Sequence, residues 1–162
     1  MLEFGGENLE INEKSRLAPF LLSLSDDQDL TLRVVIAFPK DGEAGTDPRS
    51  LNEKVKELLD KYVPVGADMD QVYEIVFENY ILYQMRNESY TSWDEYEVRK
   101  GRYLIVFERS RLLDYYEDAI FDFDSEETRK TQRKHYGIYT ENHILDIISN
   151  EPPKIRRIGT DK

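Results

Sequence analysis

QVYEIVFENYILYQMRNESYTSWDEYEVRKGRYLIVFERSRLLDYY, residues Gln71 to Tyr116, carries the reading of the fold. Val72 to Phe77 and Tyr80 to Met85 are rich in β-branched and aromatic side chains, which predicts one long bent strand or two. Asp94 to Val98 and Tyr103 to Phe107 are strand-like too. They flank Arg99-Lys100-Gly101-Arg102, which reads as a hairpin turn. Ser110 then offers a helix N-cap, and Leu112, Leu113, Tyr116 and Ile120 fall on one face of the helix that follows. Strands that follow one another along the chain favour antiparallel pairing.

Beyond this stretch, Asp122 to Lys134 is charged and reads as a loop with room for a helical turn. His135 to Tyr139 and His143 to Ile148 predict a hairpin around Glu141-Asn142. Asn150-Glu151-Pro152-Pro153 stops the sheet, and Lys154 to Lys162 is a basic tail. On the upstream side, Leu30 to Phe38 (LTLRVVIAF) reads as a mostly buried strand after a turn cluster at Ser25 to Asp29. Leu17 to Leu24 is apolar but too short to separate strand from helix by pattern. Ser50 and Glu53 form a capping box, with Leu51, Val55, Leu58, Leu59 and Tyr62 at helical spacing before Pro64 and Gly66. The expectation is one α+β domain over residues 1–162. It would hold a mainly antiparallel sheet, made of a meander plus a C-terminal hairpin, with two main helices on one face. Segments 1–16 and 154–162 are expected to be peripheral.

The size and composition suit one core. The chain has 162 residues, 40% of them hydrophobic and 12% aromatic, which argues against disorder even at 34% charged. It has no cysteine, so disulfides, thiolate nucleophiles and cysteine-bound zinc are excluded. The acidic first residues lack the basic and apolar regions of a secretory signal, and no stretch approaches a membrane-spanning length. A cytoplasmic, soluble protein is the expectation.

Charge narrows the partners. The net charge is −11, and residues 129–162 carry eight basic against four acidic side chains, so the first 128 residues hold a net −15. A field of that sign repels nucleic acid and anionic lipid and attracts a cationic protein. The ordinary alternative is that it only keeps the protein soluble.

No residue set forms a catalytic signature. His135 and His143 invite a metal or acid–base reading. With a turn near Glu141, though, His135 would lie opposite Asp146 or Ile147 and His143 opposite Tyr139, so the two would not face each other. The run from Asp122 to Glu127 starts like a calcium loop but lacks its sixth-position glycine, and Arg133 stands where the bidentate glutamate belongs. Gly42 to Thr46 is a glycine loop with no lysine after it, and Asp47 and Pro48 intervene before the helix. With 33 acids in the chain, paired carboxylates arise by chance. No cofactor and no metal are expected.

What remains is the density of tyrosine. Tyr73, Tyr80, Tyr83, Tyr90, Tyr96, Tyr103, Tyr115 and Tyr116 lie in or beside the meander with Trp93, interleaved with acids. Such side chains give large contact area for little lost entropy and are favoured at interface hot spots. Ordinary sheet packing would use many of them instead. Tyr90 and Trp93 sit in the polar segment Asn87 to Asp94 and are the expected exposed pair. With Asp94, Glu95 and Glu97 they make the candidate partner-binding site.

Residues 87–117, NESYTSWDEYEVRKGRYLIVFERSRLLDYYE, resemble a family of small, acidic, uncharacterised bacterial proteins. The matching pieces are Asn87-Glu88-Ser89, Asp94 to Glu97, Gly101 and Ser110 to Tyr115, with His135-Tyr136 and His143 to Ile148 further on. The resemblance spans residues 75–148 and transfers no functional residue. It implies a bacterial source and a non-enzymatic accessory role, such as that of a toxin-neutralising immunity protein. The leading expectation is thus an acidic module that binds a basic protein partner. The alternatives are an enzyme using His135 or His143 with a carboxylate, and a self-assembling protein using an exposed edge strand.

Overall fold

The computed structural model of the protein describes residues 17–40 and 66–159. Nine strands and two α-helices occur among them, in the order β1 (Phe20–Asp26), β2 (Leu32–Pro39), β3 (Ala67–Phe77), β4 (Leu82–Asn87), β5 (Val98–Lys100), β6 (Leu104–Arg109), α1 (Arg111–Ala119), α2 (Glu126–Gln132), β7 (Lys134–Tyr139), β8 (His143–Ser149) and β9 (Lys154–Arg157). A short 3-10 turn, Glu88–Tyr90, follows β4. The fold is α+β, with every strand pair antiparallel. The predicted helix at Ser50 to Tyr62 lies outside the described residues.

The strands form two sheets, ordered β1-β2-β3-β9 and β4-β8-β7-β6-β5. The expected meander is therefore divided between them. The chain leaves the first sheet after Phe77, turns through Asn79 in the left-handed region (φ 53°), and enters the second at Leu82. The physical reason lies in strands such as LRVVIAF of β2, apolar on both faces, which one sheet with helices on a single face would leave half uncovered. Alternate residues of both sheets meet in one core. Val34, Ile36, Tyr73, Ile75 and Phe77 come from one side, and Leu104, Val106, Tyr136, Ile138, Leu145 and Ile147 from the other. Phe77 packs on Tyr136 at a ring distance of 5.5 Å. Tyr80 and Tyr83 also tie the sheets together, since both hydroxyls donate to Asp26 Oδ2 at the end of β1, at 2.6 and 3.2 Å. The hydrogen bond to Asp26 pushes the Tyr80 hydroxyl up to about 12.

Local signals account for the rest. The β5–β6 turn holds Gly101 at φ 109°, where a Cβ would collide with the Leu104 carbonyl. Lys154–Arg157, read above as basic tail, adds an edge strand to β3, with its lysine and arginines largely in solvent. Ser110 caps α1 as predicted and accepts from Leu113 N at 3.1 Å. That cap contributes about 1 kcal/mol. The apolar stripe of α1, Leu112 and Tyr116, packs on Ile148 and covers part of the outer face of the five-stranded sheet. The stretch read as a charged loop with room for a helical turn holds two turns of helix, α2. Ser125 caps them, and no residue of α2 is buried.

Candidate functional site

The outer face of the five-stranded sheet carries a buried polar chain. His135 on β7 lies opposite Ile148, and Tyr139 opposite Ile144. This register is offset from the expected one, because the connection includes Thr140, whose hydroxyl donates to the His143 carbonyl at 2.7 Å. Asp146 then faces Gly137 and lies diagonal to His135 on the same face. A Cβ at Gly137 would come to 3.1 Å from both the Phe107 and Tyr139 rings, so a larger residue would crowd this face. His135 Nε2 lies 2.8 Å from Asp146 Oδ1, and Nδ1 lies 2.7 Å from Ser110 Oγ. The Phe107 ring stacks on the imidazole at 3.9 Å. Ser110, His135 and Asp146 are all buried.

Serine, histidine and aspartate in a row resemble a nucleophilic triad, but the geometry is that of a brace. Ser110 Oγ is fully buried and already accepts from the α1 backbone, so it is not presented to a substrate. A nucleophile must meet substrate while its base holds one nitrogen toward it. Asp146 Oδ2 accepts from Gln84 Nε2 at 3.2 Å and stands 3.6 Å from Arg86 Nη2. Burial pushes the Asp146 carboxyl up, but the hydrogen bond and charge of His135, then Gln84 and Arg86, outweigh it and hold the group below the usual carboxylate value. Both oxygens of Asp146 are engaged, and its neighbours favour the ionised form.

His135 and Asp146, with Gln84, also line a cavity of about 360 Å³, whose other walls are Arg86 on β4, Glu97 before β5, Arg111, Leu112 and Tyr115 on α1, and Tyr139 on β7. His143 is on the other side of Arg86. It lies opposite Asn87 on β4 and lines a second hollow of about 580 Å³ with Met85, Ser89 and Asn142. The two histidines do not meet. Among the described residues, no group of three acids and histidines is placed to hold a metal ion.

The predicted partner-binding residues share one loop but do different work. Tyr90 and Trp93 are 84% and 71% exposed. Trp93 lays its ring against the Arg99 guanidinium, 4.6 Å away, and Arg99 in turn donates to Tyr139 Oη at 3.2 Å. Asp94 Oδ2 accepts from Arg111 Nε at 3.0 Å, and the bond to Arg111 holds its carboxyl below the ordinary value. Glu97 Oε1 accepts from Arg111 N at 3.4 Å. Asp94 and Glu97 thus pin the loop to the start of α1, while Glu95 is left facing solvent. Tyr96 Oη donates to Asp114 Oδ2 at 2.6 Å and completes the anchorage.

Comparison with protein-family models, with curated proteins and with solved structures gives no match to this chain. No helix among the described residues is long and apolar enough to cross a membrane.

Sequence reasoning missed a second exposed aromatic pair. Phe121 and Phe123 follow α1, are 80% and 92% exposed, and pack edge to face at a ring distance of 4.9 Å. Asp122 between them points inward. Its Oδ2 accepts from the Tyr116 hydroxyl, and both its oxygens accept from Arg133, at 2.9 Å each. Asp124 adds a further bond to Arg133 at 2.5 Å. The acids that looked like the start of a calcium loop therefore grip an arginine. The alternation of Phe121-Asp122-Phe123-Asp124 was the available signal, since adjacent residues of an extended segment point to opposite sides.

Proposed function

We propose that the protein is a binding module. It docks an acidic, aromatic surface onto a basic protein partner, as a bacterial immunity protein or inhibitor does in neutralising a toxin. One observation carries the reading: Tyr90, Trp93, Phe121 and Phe123 stand in solvent on segments held by ion pairs and hydrogen bonds to α1 and Arg133. Large aromatic groups in water are unfavourable unless a partner covers them, and rigid mounting reduces the entropy lost on docking. The two segments adjoin opposite ends of α1, a nine-residue helix. At 1.5 Å per residue they are about 13 Å apart along its axis, within the span of one ordinary interface. The net charge of −11 supports fast encounter with a cation-rich face.

The test is capture from a lysate of the source organism on immobilised protein, washed at low and high salt. Wild-type bait is expected to retain one basic protein at low salt and release it at high salt. The Phe121→Ser/Phe123→Ser double variant and Trp93→Ala are each expected to weaken capture at least tenfold. Glu95→Lys is expected to slow association, and it is the proper charge variant because Asp94 and Glu97 hold the loop in place. Equal retention of the same protein by wild type and all variants would remove this surface from the reading.

A further inference from the structure

We propose that the cavity above Asp146 is a binding site for a small carboxylate. Two arginines on different elements, Arg86 of β4 and Arg111 of α1, line it. Neither has its hydrogen-bonding capacity filled among the described residues. The one ion-pair partner of Arg86 is Asp146 Oδ2, at 3.6 Å, beyond hydrogen-bond range, and Arg86 Nε has no partner. Swinging this guanidinium toward a ligand therefore breaks no hydrogen bond at Nε. Arg111 uses its Nε on Asp94 and keeps its terminal nitrogens. The acids of the same cavity are more fully used, Asp146 on both oxygens and Glu97 on one. Asp146 is already held by His135 and Gln84, and Glu97 accepts at Oε1 from Arg111 N. The walls thus hold guanidinium donors beyond those the chain uses, a group whose planar fork can match a carboxylate bidentately.

Size and charge narrow the ligand further. A volume of about 360 Å³ takes a small molecule, with Leu112 and the Tyr115 and Tyr139 rings as apolar wall. Asp146 and Glu97 at the same surface offset the charges of the two arginines, so a doubly charged anion gains no electrostatic advantage and fork geometry decides for a carboxylate. The second oxygen of Glu97 can accept from an amine or hydroxyl beside that carboxylate. The site lies in a chain of net charge −11, so binding here depends on local arginines and not on the overall field.

The experiment is an NMR titration of the full ¹⁵N-labelled chain with sodium acetate and, separately, inorganic phosphate at fixed ionic strength. It follows the Gln84 side-chain amide and the Arg86 Nε–H. Acetate is expected to shift both saturably, with a Kd of about 1–10 mM, an ordinary affinity for so small a ligand. Arg86→Gln should weaken acetate at least tenfold. Arg111→Gln serves as a second variant, and each variant is checked by thermal melting. Arg129 pairs with Glu117 and does not line the cavity, so Arg129→Gln should bind as wild type does. Absence of saturation up to about 100 mM acetate overturns the proposal. So does saturation by phosphate alone, or undiminished acetate binding in both cavity variants.

Discussion

On the outer face of the four-stranded sheet, Val35, Ala37, Met69 and Val72 form an apolar cluster. Glu74, buried on that face, meets Arg156, which reaches in from the edge strand at 2.6 Å with half its side chain in water. On the outer face of the five-stranded sheet, His135 and Asp146 sit between Ser110, Gln84 and Arg86 with almost no solvent contact. The inner faces are alike, so the contrast belongs to the outer faces alone. An apolar face tolerates change by degrees, because each methylene contributes separately. A buried polar chain is all or nothing, since removing one member leaves its neighbours desolvated and unpaired.

The contrast breaks most readily at Asp146. Asp146→Ala should destabilise the protein by about 3–5 kcal/mol in urea unfolding, because it strands His135 beside Arg86. A loss under about 1 kcal/mol would put the two outer faces on a par. Acid offers a finer test. The folded carboxyl of Asp146 lies below its ordinary value, so its contribution is full above the unfolded value of about 3.9. That contribution disappears as pH falls through the lowered folded value. Stability of the wild type should fall across that window, and Asp146→Asn should flatten the fall. Asp122, also lowered, chiefly by its Tyr116 hydrogen bond, leaves a residual slope. The smallest effect is expected on the other face. Glu74→Gln should cost about 1 kcal/mol or less in the same urea assay, because Arg156 can return to water. A larger loss would make Glu74 an equal of Asp146.

The sequence showed what is decided locally. The β7–β8 hairpin, the cap at Ser110 and the strand through VVIAF each follow from turn chemistry, capping or β-branched runs within a few residues. The split into two sheets did not show, because it depends on which apolar faces meet across the core. Helix α2 was hidden because EETRKTQ has no apolar stripe, and its ends rest on Ser125 and a Glu126–Lys130 ion pair. Among the candidate residues, polarity of the segment was enough to pick Tyr90 and Trp93 as exposed. The roles of Asp94 and Glu97 required knowing that Arg111 folds back beside them. The His135–Asp146 contact needed the true register, and an offset of one residue puts a side chain on the wrong face.

Ser110 belongs to two structures at once. Its hydroxyl closes the first turn of α1 and also meets a histidine on a central strand. Surface helices usually fray from their ends, opening and closing far faster than the whole domain unfolds. Here the N-terminal turn cannot open without detaching His135. Opening that end of α1 therefore costs the His135 contact as well as the cap, and amide exchange at Leu113 is expected to be slower than fraying of a cap alone would allow. The other end is tied down separately, through Tyr116, Asp122 and Arg133 just before Phe123.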